Sequence, residues 1–86
     1  MREYIIVVDD SEYNILINND IVTIITINYN TFNSKREVYK LEEIVDDIIE
    51  ILKHDRKYLH DFMDYLKQFS PKRFTIKSKT FRKEYR

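Results

Sequence analysis

The chain has no glycine and only one proline, Pro71, in 86 residues. This absence limits the fold more than any motif does. Tight hairpin loops and close backbone approaches use positive φ, which glycine supplies at no steric cost. Without glycine, each such position must fall to Asn or Asp, the side chains that best tolerate the left-handed region. Gly-rich phosphate cradles, Walker loops and dinucleotide fingerprints are excluded outright.

Alanine and cysteine are also missing, and Ile, Lys, Tyr, Asn and Phe make up 40 of the 86 residues. Those five residues have AT-rich codons, so the composition reports base content more than chemistry. Thirteen isoleucines, seven tyrosines and five phenylalanines are enough for one small core without staples. The lack of cysteine excludes disulfides and thiolate zinc sites and fits a cytoplasmic setting. The longest apolar runs are too short to span a bilayer, so no membrane association is expected. The opening Met1-Arg2-Glu3-Tyr4 reads as the start of a strand rather than a signal peptide.

Net charge is zero but unevenly spread. Residues 1–34 carry one basic and five acidic side chains, and residues 35–70 carry seven and nine. Residues 71–86 carry seven basic side chains (Lys72, Arg73, Lys77, Lys79, Arg82, Lys83, Arg86) against Glu84 alone. An acidic body with a basic end fits either internal complementarity or a patch for an anionic partner.

The hydrophobic pattern predicts an α+β domain in the order β-β-β-(β)-α-α-β. It pictures an antiparallel sheet with a two-helix hairpin packed on one face. Tyr4–Val8 is a continuous β-branched run, expected to be covered on both faces. Asp9-Asp10-Ser11 breaks it. Glu12–Asn18 alternates, with Tyr13, Ile15 and Ile17 opposite Asn14, Leu16 and Asn18. After an Asn18-Asn19-Asp20 turn, Ile21–Tyr29 is apolar on both sides and is expected to lie centrally. Arg36–Lys40 admits two readings. It is a fourth strand, favoured by Val38-Tyr39, or the start of a helix capped by the box Ser34-Lys35-Arg36-Glu37. Leu41–Lys53 shows a wide apolar helical face of Leu41, Ile44, Val45, Ile48, Ile49, Ile51 and Leu52. Asp55 caps a second helix, Arg56–Phe69, which buries Tyr58, Leu59, Phe62, Met63, Leu66 and Phe69. Ser70-Pro71 stops it. Arg73–Phe81 alternates as a final edge strand, so residues 1–80 form one domain and 81–86 a basic tail.

Four sets of residues invite a chemical reading. Glu42, Glu43, Asp46, Asp47 and Glu50 share the outer side of the first helix, as a solvated face or a docking surface for a basic partner. The basic residues from Lys72 onward are interleaved with Phe74, Phe81 and Tyr85, and this pattern suits single-stranded nucleic acid. Neutral overall charge weighs against that use. His60 and Asp64 stand one turn apart, with His54 nearby, but no third ligand completes a metal site. Asp9, Asp10 and Glu12 could hold Mg²⁺ as metal-dependent nucleases do, yet Asp-Asp-Ser is ordinary turn chemistry. The Glu37 and Lys40 spacing, Glu-x-x-Lys, is one residue longer than those nucleases use. Ser11, Ser34, Ser70 and Ser78 lack an elbow or a base partner. The expectation is a non-catalytic chain without metal or cofactor.

The strand hairpin around Ile17-Asn18-Asn19-Asp20, two helices, and the β-like Phe74-Thr75-Ile76-Lys77-Ser78 give an order of elements that resembles small anti-CRISPR proteins. These are phage and mobile-element inhibitors of Cas nucleases. The resemblance covers about the last three-quarters of the chain. It implies a small inhibitor or modulator of a host protein, with a nucleic-acid-handling protein or nuclease as partner, acting in the host cytoplasm. DNA-mimicking members are acidic throughout, whereas this chain is neutral with a basic end. The alternatives are a nucleic-acid-binding accessory protein using the basic segment and a homodimer.

Overall fold

The computed structural model describes residues 1–68. Over them the protein is α+β, with a four-stranded antiparallel sheet followed by two helices. The strands are β1 (Arg2–Val8), β2 (Ser11–Asn18), β3 (Ile21–Asn28) and β4 (Asn33–Lys40), and the helices are α1 (Leu41–Leu52) and α2 (Arg56–Leu66). The final strand Arg73–Phe81, the tail and Phe69 lie outside the described residues. The chain divides into two compact units between Glu43 and Ile44.

In the first unit the strands form a meander in spatial order β1-β2-β3-β4. Short polar turns join neighbours directly, which is the simplest antiparallel connection. Asp9 and Asn19, the first loop residues of the first two hairpins, have φ of 53° and 57°. An Asp and an Asn thus do the work that glycine does elsewhere. The third positive φ, also 57°, belongs to Phe32 in the β3–β4 loop. A bulky side chain there is a steric outlier.

Register runs straight across the sheet. Tyr4 pairs with Ile15, Ile15 with Ile24 and Ile24 with Glu37. Tyr4, Ile6, Ile15, Ile17, Val22 and Ile24 all project to this side and are all buried. Side chains alternate with period 2, so one register fixes both faces. β3 is an inner strand, as its apolar character predicts.

β1 departs from expectation. It is an edge strand, and Ile5 and Val7 remain exposed on the opposite side. A continuous apolar run reports hydropathy on both faces but not whether anything covers the second one.

The Arg36–Lys40 ambiguity resolves to strand, with the helix starting at Leu41. The capping box at Ser34–Glu37 is therefore not used. Glu43 supplies the cap, because its Oε1 accepts from the Lys40 backbone N–H at 2.9 Å. The Leu41 N–H, another donor unpaired within the helix, donates to the Asp20 carbonyl at 2.7 Å.

In the second unit the apolar stripe of α1 is buried at Ile44, Val45, Ile48, Ile49 and Leu52, while Ile51 is half-buried. Asp55 caps α2 as expected, accepting from Lys57 N–H at 3.1 Å and Tyr58 N–H at 3.2 Å. Leu59, Phe62, Met63 and Leu66 of α2 are buried, and Tyr58 is half-buried.

Candidate functional site: the open face of the sheet

The side of the sheet opposite Tyr4 and Ile15 is built in cross-strand rows. Glu3, Leu16, Thr23 and Val38 form one row. Ile5, Asn14, Ile25 and Arg36 form the next, and Val7, Glu12, Ile27 and Ser34 the third. Asn18, Ile21 and Lys40 close the end near the β2–β3 turn. Ile5, Val7, Ile21 and Val38 are 46%, 57%, 45% and 59% exposed. Leu16, Ile25 and Ile27 are half-buried between them.

An antiparallel sheet with one face in water normally alternates apolar with polar residues. Here the open side is mixed: seven of its fifteen positions, Ile5, Val7, Leu16, Ile21, Ile25, Ile27 and Val38, are apolar and the rest polar or charged. Single exposed apolar residues are ordinary; here apolar side chains recur on all four strands, interleaved with polar ones. Charge on this face is sorted by strand, with Glu3 and Glu12 on β1 and β2 and Arg36 and Lys40 on β4.

A depression of about 390 Å³ opens beside the patch. Met1, Leu16, Ile21 and Thr23 line it with the turn residues Asn18, Asn19 and Asp20. Asp20 is the only titratable side chain among them.

One end of the face is held by a polar cluster. The Tyr29 hydroxyl donates to Glu12 Oε1, and Asn14 Nδ2 donates to Glu12 Oε2 at 2.8 Å. The Tyr29 bond, and secondarily the Asn14 bond, hold the Glu12 carboxyl below its ordinary range. The same Glu12 bond raises the Tyr29 phenol. Asn30 Nδ2 donates to Asp10 Oδ2 at 2.7 Å, and the Tyr29 N–H donates to the Asp10 carbonyl at 2.8 Å. On the other side of the sheet Glu37 is also held low, mainly by a bond from Tyr39 and further by Lys35 at 3.5 Å.

These bonds decide the fate of the acidic turn. Asp10 and Glu12 tie the first hairpin to the β3–β4 loop. Glu37 and Lys40 project to opposite faces of β4, since odd and even positions alternate. No group of three or more potential metal ligands occurs among the described residues. His54, His60 and Asp64 are exposed, and Asp64 pairs with Lys67 at 3.5 Å.

The acidic side of α1 is less uniform than its spacing suggests. Glu42, Glu43, Asp47 and Glu50 are exposed. Glu43 caps the helix, and Glu50 Oε1 pairs with Lys53 Nζ at 2.7 Å. Asp46 does not share the open outer side. It is half-buried, and its Oδ1 is covered with no hydrogen-bond partner among the described residues. On the helical wheel it lies about 60° from buried Ile49, at the margin of the apolar stripe. The basic set Lys72, Arg73, Lys77, Lys79, Arg82, Lys83 and Arg86 lies outside the described residues.

The sequence reading misses the open face and Phe32, which is 82% exposed. The two-sided apolar character of β3 and Ile5-Val7 on β1 carry the signal for the face. For Phe32 the only hint is the lack of a glycine in its loop. No described helix is long and apolar enough to cross a membrane. Comparison with protein-family models, curated proteins and solved structures finds no match.

Proposed function

We propose that this chain is a small non-catalytic protein-binding module. The observation that carries this reading is the apolar open face of the sheet, whose occupant is another folded protein surface. Leaving Ile5, Val7, Ile21 and Val38 in water forgoes burial worth about 25 cal/mol per Å², and a protein surface of matching shape recovers it.

The finer reading is an inhibitor or modulator encoded by a phage or mobile element, acting in the host cytoplasm by occupying a host nucleic-acid-handling protein. It rests on the resemblance read from the sequence, whose last β-like segment lies outside the described residues, and on the exposed carboxylates Glu42 and Asp47, which suit a basic partner. Glu43 and Glu50 already have local partners, so Glu42 and Asp47 are the residues to reverse.

The test is capture from a host-cell lysate, split into nuclease-treated and untreated halves. The reading expects a protein that survives nuclease treatment and is lost with the folded Glu42→Lys/Asp47→Lys variant. Capture unchanged by that variant would remove the acidic face from the proposal. Recovery of nucleic acid alone, with all proteins lost on treatment, would overturn the protein-binding reading in favour of a nucleic-acid accessory protein.

A further inference from the structure

We infer that the occupant of the open sheet face is a second copy of this chain, packed face to face about a two-fold axis that runs parallel to the strands. The inference rests on the protein-binding reading and names its partner.

Charge selects both the partner and the axis. Acidic Glu3 lies on edge strand β1, and basic Arg36 and Lys40 lie on the opposite edge strand, β4. A two-fold axis parallel to the strands exchanges the edges while keeping each row at its own level. It lays β1 of one copy over β4 of the other. Glu3 then faces the Val38 position, between Arg36 and Lys40, and the pairing occurs twice because the interface is isologous. An axis across the strands would set β1 on β1 and β4 on β4 with the rows reversed, leaving Glu3 over apolar β1 positions and away from the basic residues of β4.

Each row faces its own reversed copy in the same arrangement, so Asn14 meets Ile25 and Val7 meets Ser34 while Glu12 meets Ile27. Leu16 of β2 meets Thr23 of β3 at one level, and Ile5 meets the aliphatic stem of Arg36 at the next. Glu12 falls at the end row, its carboxylate already bonded by Tyr29 and Asn14. Two sheets packed this way give the aligned sandwich that twisted sheets favour.

The area is adequate. Four strands of about eight residues, about 4.8 Å apart with about 3.4 Å per residue, present about 500 Å² per copy. Both copies together bury about 1,000 Å², the threshold for a specific interface.

Sedimentation velocity on the full chain, across low to high micromolar concentration, tests this. The expected result is a concentration-dependent dimer. Val7→Lys and Val38→Lys, each on an exposed position, should raise the dimer dissociation constant about 100-fold or more. Far-UV circular dichroism and dilute-solution melting check that each variant folds, and Val38→Ser serves as the milder substitution. Glu3→Lys should weaken the dimer about 10-fold, and Glu3→Lys combined with Arg36→Glu should restore it.

A dimer indifferent to Val7 and Val38 would overturn the inference and point to edge-strand pairing. Loss on Glu3→Lys without rescue by Arg36→Glu would overturn the strand-parallel axis. A monomer at every concentration would overturn self-association. If that monomer still captures a protein through the open face, the protein-binding reading survives. If it captures nothing, both fall.

Discussion

Both faces of the sheet carry β-branched aliphatic side chains, and these meet opposite fates. Tyr4, Ile6, Ile15, Ile17, Val22 and Ile24 are buried on one, while Ile5, Val7, Ile21 and Val38 stand exposed on the other. Hydropathy does not separate Ile5 from Ile6, because the strand's alternation sends them to opposite sides. The difference lies in what is available to cover each face. A burial energy belongs to a residue together with its neighbours, so the closed face contributes to folding and the open face is left to association.

The largest expected effect breaks this comparison if it fails. Ile15 is 0% exposed, and Ile15→Ala should cost about 2–5 kcal/mol, the range for truncating a core aliphatic side chain. Ile5→Ala, the same chemical change across the sheet, should stay within about 0.5 kcal/mol in dilute solution. Urea denaturation at low protein concentration measures both. Equal costs would mean that the open face is covered within the monomer, and the contrast between faces would vanish.

A second substitution separates exposure from strain. Phe32 is exposed like the open face, but its positive φ loads the backbone as well. Phe32→Gly should stabilise the fold by about 1 kcal/mol, the cost of holding a non-glycine residue left-handed, read from the denaturation midpoint. A fall in stability instead would show that the ring contributes packing that outweighs the strain.

Much of this architecture is legible in the residues. Alternation in β2, Asp and Asn at the first two turns, and the apolar stripe of α1 each point to one structure, and local and global signals agree there. Arg36–Lys40 is ambiguous because a capping-box pattern and a β-branched Val38 compete over the same few residues. The contact that resolves helix entry, Asp20 carbonyl to Leu41 N–H, joins residues far apart in sequence. The site is harder to read than the fold. The outer acids of α1 catch the eye because charge is visible in sequence, yet Glu43 and Glu50 have local structural roles. The open face escapes notice because an apolar strand reads the same whether or not its second side is covered.

The smallest expected effect reads the open face through the hydrogen-bonded carboxylate of Glu12. Glu12 titrates below its ordinary 4.5, chiefly because the Tyr29 hydroxyl bonds its charged form. A depressed carboxylate adds stability that is present above the ordinary value and lost as pH falls through the folded one. Tyr29 is raised above 10.0 by the same bond, so its share is present below 10.0 and lost as pH rises through the folded value. The stability difference between wild type and Tyr29→Phe should therefore hold steady between those limits and shrink beyond each. Glu37, held low by Tyr39 on the closed side, is untouched by that variant and supplies the internal control. A difference that persists unchanged well into acid would mean that the Glu12 bond does not depend on ionisation. The polar anchor of the open face would then be an ordinary neutral contact.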